Sequence, residues 1–109
     1  MYVFRQPQRE VKGVQNLIVT EDSTGAEHCQ AGIARIAANT ILPDEGWAKH
    51  PTEEVNYILK GKIRVQTPTR SEEIGEGDMV FMPKDEEHRN INIGDDEALI
   101  LWVTAPPTL

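Results

Sequence analysis

Two histidines and a glutamate are the side chains of this sequence best suited to hold a metal ion or to transfer protons near neutral pH. His50 precedes Glu54 by four residues, and this even spacing places both side chains on one face of an extended segment. His88 begins a separate predicted strand, on which Asn90 and Asn92 share its face. Two imidazoles and a carboxylate form a ligand set with open positions that suits Fe(II) and similar ions. Taken alone, the His50 and Glu54 pair is also typical of two exposed side chains near a turn.

The segments that must position these side chains are short apolar runs rich in β-branched residues, separated by Gly, Pro, Asp or Asn. This pattern predicts an all-β fold of eight or nine antiparallel strands. Lys60-Gly61-Lys62 joins two of the strands and indicates a tight hairpin. An open sheet of such short strands would leave exposed edges, which favours a closed sandwich or barrel of the jelly-roll kind. The predicted strands cover residues 14–20, 30–38, 40–42, 55–59, 63–66, a polar stretch ending near 74, 79–82, 88–93 and 98–103.

Length and charge limit the classes of partner. The 109 residues are the usual size of one domain, so we expect a single domain over 1–109. A formal charge of −7 without a dense basic stripe argues against nucleic acid and anionic membranes as partners. Cys29 is the only cysteine, which excludes a disulfide within the chain and suits a reducing compartment. With no apolar run of signal or membrane-spanning length, we expect a cytoplasmic protein.

The region around His50 resembles the first motif of the cupin superfamily. That motif runs Gly, five residues, His-x-His, three or four residues, Glu, six residues, Gly. The chain has GWAKHPTEEVNYILKG at residues 46–61, in which His50 matches the second histidine, Glu54 the glutamate and Gly61 the last glycine. Ala48 stands where the motif has its first histidine.

The region around His88 is similar to the second cupin motif, which runs Gly, five residues, Pro-x-Gly, two residues, His, three residues, Asn. Residues 77–92 read GDMVFMPKDEEHRNIN and match every spacing. Asp85 replaces the second glycine, and Asp tolerates a positive φ better than most residues. The two motifs together indicate a small single-domain cupin of the cupin-2 type, a jelly-roll β-barrel of antiparallel strands.

The resemblance implies that His50, Glu54 and His88 bind a divalent metal ion, which would be iron, manganese, nickel or zinc. The usual fourth ligand is missing at Ala48, which leaves a further position for water or substrate. A side chain outside the motifs, such as His28, is one alternative for the fourth ligand. A barrel that keeps the fold without the metal is the other alternative.

Four further residues are candidates for a substrate pocket. Asn56 lies two residues after Glu54 and so faces the same way, where a buried amide must bind substrate, orient a ligand or form structural hydrogen bonds. Asn90 shares the face of His88, and Trp102 and Tyr57 line the pocket or point outward depending on strand register. We read Asn92 as a turn or supporting residue and not as a ligand.

These observations favour a metal-dependent cupin enzyme that acts on a small organic molecule inside the barrel. Oxygenase chemistry is the first candidate because a ligand set of two histidines and one carboxylate leaves positions for dioxygen, and lyase, decarboxylase and isomerase chemistry are the others. The alternative is a non-catalytic module that binds a small ligand at a degenerate metal site. We also expect a homodimer, formed through edge strands, with Tyr2, Val3 and Phe4 covering the partner's sheet edge.

Overall fold

The computed structural model describes residues 1–7 and 16–107, and this part of the chain is built almost entirely from antiparallel strands. The single short helix, α1, spans Glu21–Thr24 and is capped by the Thr20 hydroxyl, which accepts from the Ser23 N–H. The strands are β1 (Asn16–Val19), β2 (Gln30–Ile36), β3 (Ile41–Leu42), β4 (Glu53–Lys60), β5 (Lys62–Thr67), β6 (Arg70–Gly75), β7 (Met79–Met82), β8 (Arg89–Asn92) and β9 (Ala98–Ala105).

Two sheets face each other across the core. One has five strands in the order β1-β2-β9-β4-β7, and the other has four strands in the order β3-β8-β5-β6. Every strand pair is antiparallel. The predicted all-β jelly roll is therefore confirmed. The buried core between the sheets consists of Ala34, Ile36, Ile58, Ile63, Ala98, Ile100 and Trp102.

Strand β4 shows how a period-two pattern builds the interior. Glu54, Asn56 and Ile58 lie opposite Thr104, Trp102 and Ile100 of β9, in that order. Because alternate residues share a face, these side chains of β4 and β9 all point between the sheets. The other residues of β4, including Tyr57, lie on the outer face of the five-stranded sheet, where Tyr57 is exposed.

The predicted hairpin at Lys60-Gly61-Lys62 is wrong. β4 pairs with β7 and β9, whereas β5 pairs with β6 and β8, so the chain crosses from one sheet to the other at Gly61. Gly61 has φ 93°, a conformation that favours glycine. A Cβ at Gly61 would lie 3.0 Å from the Ala98 Cβ, so the crossing also needs the space that glycine leaves.

The other strand predictions agree with the structure to within a few residues. The first predicted strand, 14–20, begins outside the described residues, and its described part forms β1. In the described parts of the chain, no helix has the length and apolar character needed to cross a membrane.

Candidate functional site

A cavity of about 190 Å³ lies between the two sheets. Eight of the nine strands contribute to its wall, so the closed sandwich itself forms the site. One part of the wall is polar and the remainder is apolar. The polar residues are His50, Glu54, Asn56, His88 and Asn90; the other lining residues are Ala34, Ile36, Leu42, Pro43, Ala48, Ile58, Val65, Ile74, Val80, Ile100 and Trp102.

The turn after β7 positions both histidines. Asp85 adopts φ 61°, which confirms the expectation that this residue takes the left-handed conformation of the motif glycine. Its backbone N–H donates to the His50 carbonyl oxygen at 2.8 Å. The turn also carries Glu86, whose carbonyl oxygen accepts a hydrogen bond from His88. One tight turn thus connects the two candidate ligands.

His88 is 4 % exposed and is oriented by its bond to the backbone of Glu86, with 2.9 Å between Nδ1 and the carbonyl oxygen. Since a carbonyl oxygen can only accept, Nδ1 carries the proton in this contact. In the neutral ring Nε2 then has the free lone pair, which is the state that a metal ligand requires.

The His50 and His88 rings lie side by side. Their centroids are 5.3 Å apart and their planes are inclined by 60°. His50 is half-buried and lies two residues after Ala48, which forms an isolated antiparallel bridge with His88. The structure therefore brings together two imidazoles that are 38 positions apart in the chain.

Glu54 is held by its neighbour on the same strand face. The Asn56 side-chain amide donates from Nδ2 to Oε2 of Glu54 at 2.9 Å. Sequence reasoning left three roles open for Asn56, and this bond shows that it orients the Glu54 carboxylate. An amide donor leaves the second carboxylate oxygen, Oε1, for another partner.

The donors line one cavity without converging on one point. Within residues 1–7 and 16–107, no three His, Cys, Asp or Glu side chains lie close enough together to hold a metal ion as they stand. The donor chemistry of His50, Glu54 and His88 nevertheless fits a divalent transition metal, since it consists of two imidazoles and a carboxylate. To bind an ion, these side chains would have to rotate toward one another. The hydrogen bond from Asn56 holds the Glu54 carboxylate in its present direction.

His28, which the sequence left open as an alternative fourth ligand, does not lie near the candidate ligands. Its side chain is 94 % exposed and lies 3.9 Å from the Glu27 carboxylate, outside the cavity. Cys29 is half-buried and also lies outside the cavity. Asn90 and Trp102 line the cavity, and Tyr57 does not. Asn92 is a structural residue, bonded to the Ile36 and Asp96 carbonyl oxygens.

Sequence reasoning missed the apolar part of the cavity wall. Ile36, Val65 and Ile74 each lie on a strand whose alternation could have indicated an inward side chain. It also missed the contact of Arg89 with Trp47, where the guanidinium carbon lies 4.5 Å from the ring centroid. The Arg89 guanidinium covers the Trp47 ring next to Ala48. No spacing in the sequence predicted this contact.

Comparison with known proteins places these observations in a family. The family model described as "Cupin domain" matches residues 39–104, which contain His50, Glu54 and His88. No curated protein sequence matches the chain.

Solved structures share the fold at low sequence identity. A protein of Bacillus halodurans has 18 % identity and a TM-score of 0.82, covering 99 % of this chain and 83 % of its own. A protein of Thermus thermophilus has 18 % identity and a TM-score of 0.79, covering 96 % of this chain and 98 % of its own. A Thermotoga maritima protein described as a predicted oxalate decarboxylase has 20 % identity and a TM-score of 0.70, covering 82 % of this chain and 76 % of its own. The family match spans more than half of the chain, and the chain therefore belongs to the cupin family.

Proposed function

We propose that this protein is a metal-dependent enzyme that acts on a small, largely apolar organic molecule inside its cavity. The observation that carries the proposal is that His50, Glu54 and His88 line the same cavity, with the two imidazoles side by side. Iron, manganese, nickel or zinc would suit these ligands. Oxygenase chemistry remains the first candidate reaction, and lyase, decarboxylase and isomerase chemistry are the alternatives.

The protein groups have separable tasks in this proposal. The bond from Asn56 fixes the direction of the Glu54 carboxylate, and the bond to Glu86 fixes the ring and tautomer of His88. A bound ion would supply Lewis-acid chemistry, and redox chemistry as well if it were iron. The apolar wall limits water and holds the substrate body next to the polar residues.

The size and walls of the cavity restrict the substrate. A cavity of about 150 Å³ is known to hold benzene, so 190 Å³ accommodates a molecule only slightly larger. Among the described residues that line it there is no lysine or arginine. Because a buried anion without a paired cation is costly, the walls alone favour an uncharged substrate over a dicarboxylate. This argues against oxalate, which the description of the Thermotoga maritima neighbour names, unless a bound ion supplies the positive charge.

The first experiment is elemental mass spectrometry on untagged protein purified without chelators, before and after anaerobic loading with Fe(II). We expect about one equivalent of a transition metal per chain. The His50→Ala and His88→Ala variants should lose it. His28→Ala is the matched control, because this histidine is exposed and lies outside the cavity. Absence of metal from the loaded parent, or equal loss in all three variants, would overturn the proposal.

A second candidate function is a metal-free module that binds a small ligand. The observation that favours it is the lack of convergence of three metal-binding side chains in the described residues, together with the bond that holds Glu54 to Asn56. The two candidates differ in their response to a chelator. A ligand that binds equally well before and after EDTA treatment supports the module, and loss of binding or turnover on EDTA treatment supports the enzyme.

A further inference from the structure

A further cavity lies beside the one that contains the candidate ligands. Its volume is about 410 Å³. We call it the second cavity, and the one that His50, Glu54 and His88 line the first cavity. Val65 and Ile74, together with Val80, line both of them. A single layer of apolar side chains therefore separates the two cavities.

The second cavity lies in a gap between the two sheets. β6 is the last strand of the four-stranded sheet and β7 the last strand of the five-stranded sheet, and no ladder joins them among the described strands. Only the turn between them closes the gap at one end, where the Gly75 N–H donates to the Asp78 carboxylate at 2.8 Å. Away from this turn, two unpaired strand edges leave the side of the sandwich open.

The strand register shows that the two cavities follow one another along the same rows of residues. Asn90 of β8, Val65 of β5 and Glu72 of β6 lie opposite one another in that order. Asn90 lines the first cavity, Val65 both and Glu72 the second. On the other sheet Asn56 of the first cavity lies opposite Val80, which lines both. A molecule that extends along these rows passes from the polar wall of the first cavity into the second.

The residues between the cavities are not packed like the rest of the interior. Val65, Ile74 and Val80 are apolar and line cavities between the sheets, yet each is only half-buried. Ile58 and Ile63 of the same interior are 1 % and 0 % exposed. Because protein interiors are normally close-packed, apolar side chains left half-covered in a gap between sheets offer contact to an apolar ligand.

The wall of the second cavity becomes polar toward solvent. Met82 is 5 % exposed, whereas the side chains of Arg70 and Glu72 are 73 % and 57 % exposed. Arg70 donates to the Glu72 carboxylate at 3.0 Å, so the one cation of the lining is already paired with an acid. Glu86, the other charged residue of the lining, is a second acid. These walls favour an uncharged apolar group over an anion.

We propose that the second cavity holds the apolar tail of an elongated, uncharged substrate, whose polar end lies beside His50, Glu54 and His88. This inference rests on the proposed function, in which the first cavity binds a small organic molecule. The volume of the first cavity then limits only the part of the substrate next to the candidate ligands. The substrate class is a molecule with a ring-sized, oxygen-bearing head and an alkyl tail.

The test uses phenol, 4-ethylphenol and 4-butylphenol as probes, because a phenol ring is close in size to benzene and fits the first cavity. Calorimetric titration is carried out on the full chain, as purified and after EDTA treatment. We expect one site per chain and an affinity that rises about tenfold for each two carbon atoms added to the tail. No binding, or an affinity that stops rising at 4-ethylphenol, would overturn the proposal.

Two substitutions close the connection between the cavities. Val80→Phe and Ile74→Phe should each lower the preference for 4-butylphenol over phenol by about tenfold or more. The ratio of the two affinities is the readout, so an effect on the head of both probes cancels. Glu73→Phe is the matched control: this residue precedes Ile74 on β6, and its side chain pairs with Arg64 outside both cavities. An unchanged ratio in both blocking variants, or the same loss in Glu73→Phe, would contradict the proposal.

A measurement on the unmodified chain locates the tail even if both blocking variants fail to fold. Met82 lines the second cavity and not the first, so its methyl group should show nuclear Overhauser effects to the butyl protons of 4-butylphenol. Butyl contacts only with residues of the first cavity, such as Ile100, would overturn the proposal. Metal content separately decides the proposed enzyme: a tail effect in a chain that binds no metal supports this inference alone, and a metal-binding chain without a tail effect refutes it alone.

Discussion

Ala48 and His88 exchange two backbone hydrogen bonds: the N–H of each donates to the carbonyl oxygen of the other at 2.9 Å. This isolated bridge holds Ala48 directly beside a candidate ligand, and both residues line the cavity. Where the family motif has its first histidine, this chain presents only a methyl group. The backbone that would carry a fourth ligand is thus already in place.

Restoring that histidine should strengthen metal binding. We expect Ala48→His to increase the affinity for a divalent transition metal by about tenfold or more, which corresponds to at least about 1.4 kcal/mol. The physical reason is an added imidazole on a backbone that is fixed next to His88. The measurement is competition with a chelating dye. Ala37→His, at an exposed position outside the cavity, is the control, and equal gains in both variants would contradict the expectation.

Some of the geometry of the site followed from local spacing, whereas the candidate ligand set came from the resemblance to the two cupin motifs. The alternation in β4 correctly placed Glu54 and Asn56 on the interior face, and the motif pattern correctly placed Asp85 at a positive φ. Both depend on neighbours within a few residues, which is information that the sequence contains. The bond between Asn56 and Glu54 did not follow, because a shared face does not determine a rotamer.

The pairing of strands could not be read in the same way. β4 and β5 are separated only by Gly61, which locally resembles a hairpin, yet the partners of β4 are β7 and β9. These partners lie about 20 to 40 residues further along the chain, and their choice depends on closing two sheets over one core. Strand register likewise decided that Trp102 faces the cavity and Tyr57 does not.

The crossing at Gly61 should be sensitive to any side chain. We expect Gly61→Ala to lower the free energy of unfolding by about 2 kcal/mol or more. The cost of placing a side chain at a positive φ adds to the cost of its close contact with Ala98. Gly25→Ala is the control: it has φ 76° but no atom within 4 Å of the added Cβ, so it should cost only about 1 kcal/mol. Urea unfolding measures both, and equal losses would show that the contact at Ala98 has no effect.

Asn92 should contribute to stability and not to ligand binding. It is 1 % exposed, donates to the Ile36 and Asp96 carbonyl oxygens, and accepts from the Gly94 N–H, each at 2.9 Å. Asn92→Ala would leave these backbone groups without their partner, and we expect a loss of about 2–4 kcal/mol in urea unfolding. Asn90→Ala, on the same strand but facing the cavity, should cost less than about 1 kcal/mol. Similar losses for the two variants would contradict the structural role.

Asp96 should make the stability of the fold depend on acid pH. The Glu97 backbone N–H, followed by the hydrogen bond and charge of Lys60, lowers the pKa of the Asp96 carboxyl below 3.8. A carboxyl whose pKa is lower in the folded state than in the unfolded state stabilises the fold at pH values above its unfolded pKa. This contribution disappears as the pH falls below 3.8 through the folded pKa. Thermal unfolding between pH 5 and pH 2.5 should therefore show a smaller acid-dependent decrease in Tm for Asp96→Asn than for the parent.

The effect is modest because the group is fully exposed, so the comparison needs low salt and Asp95→Asn as the control for removing one negative charge. An unchanged slope in Asp96→Asn, or the same change in Asp95→Asn, would show that these hydrogen bonds do not carry the dependence.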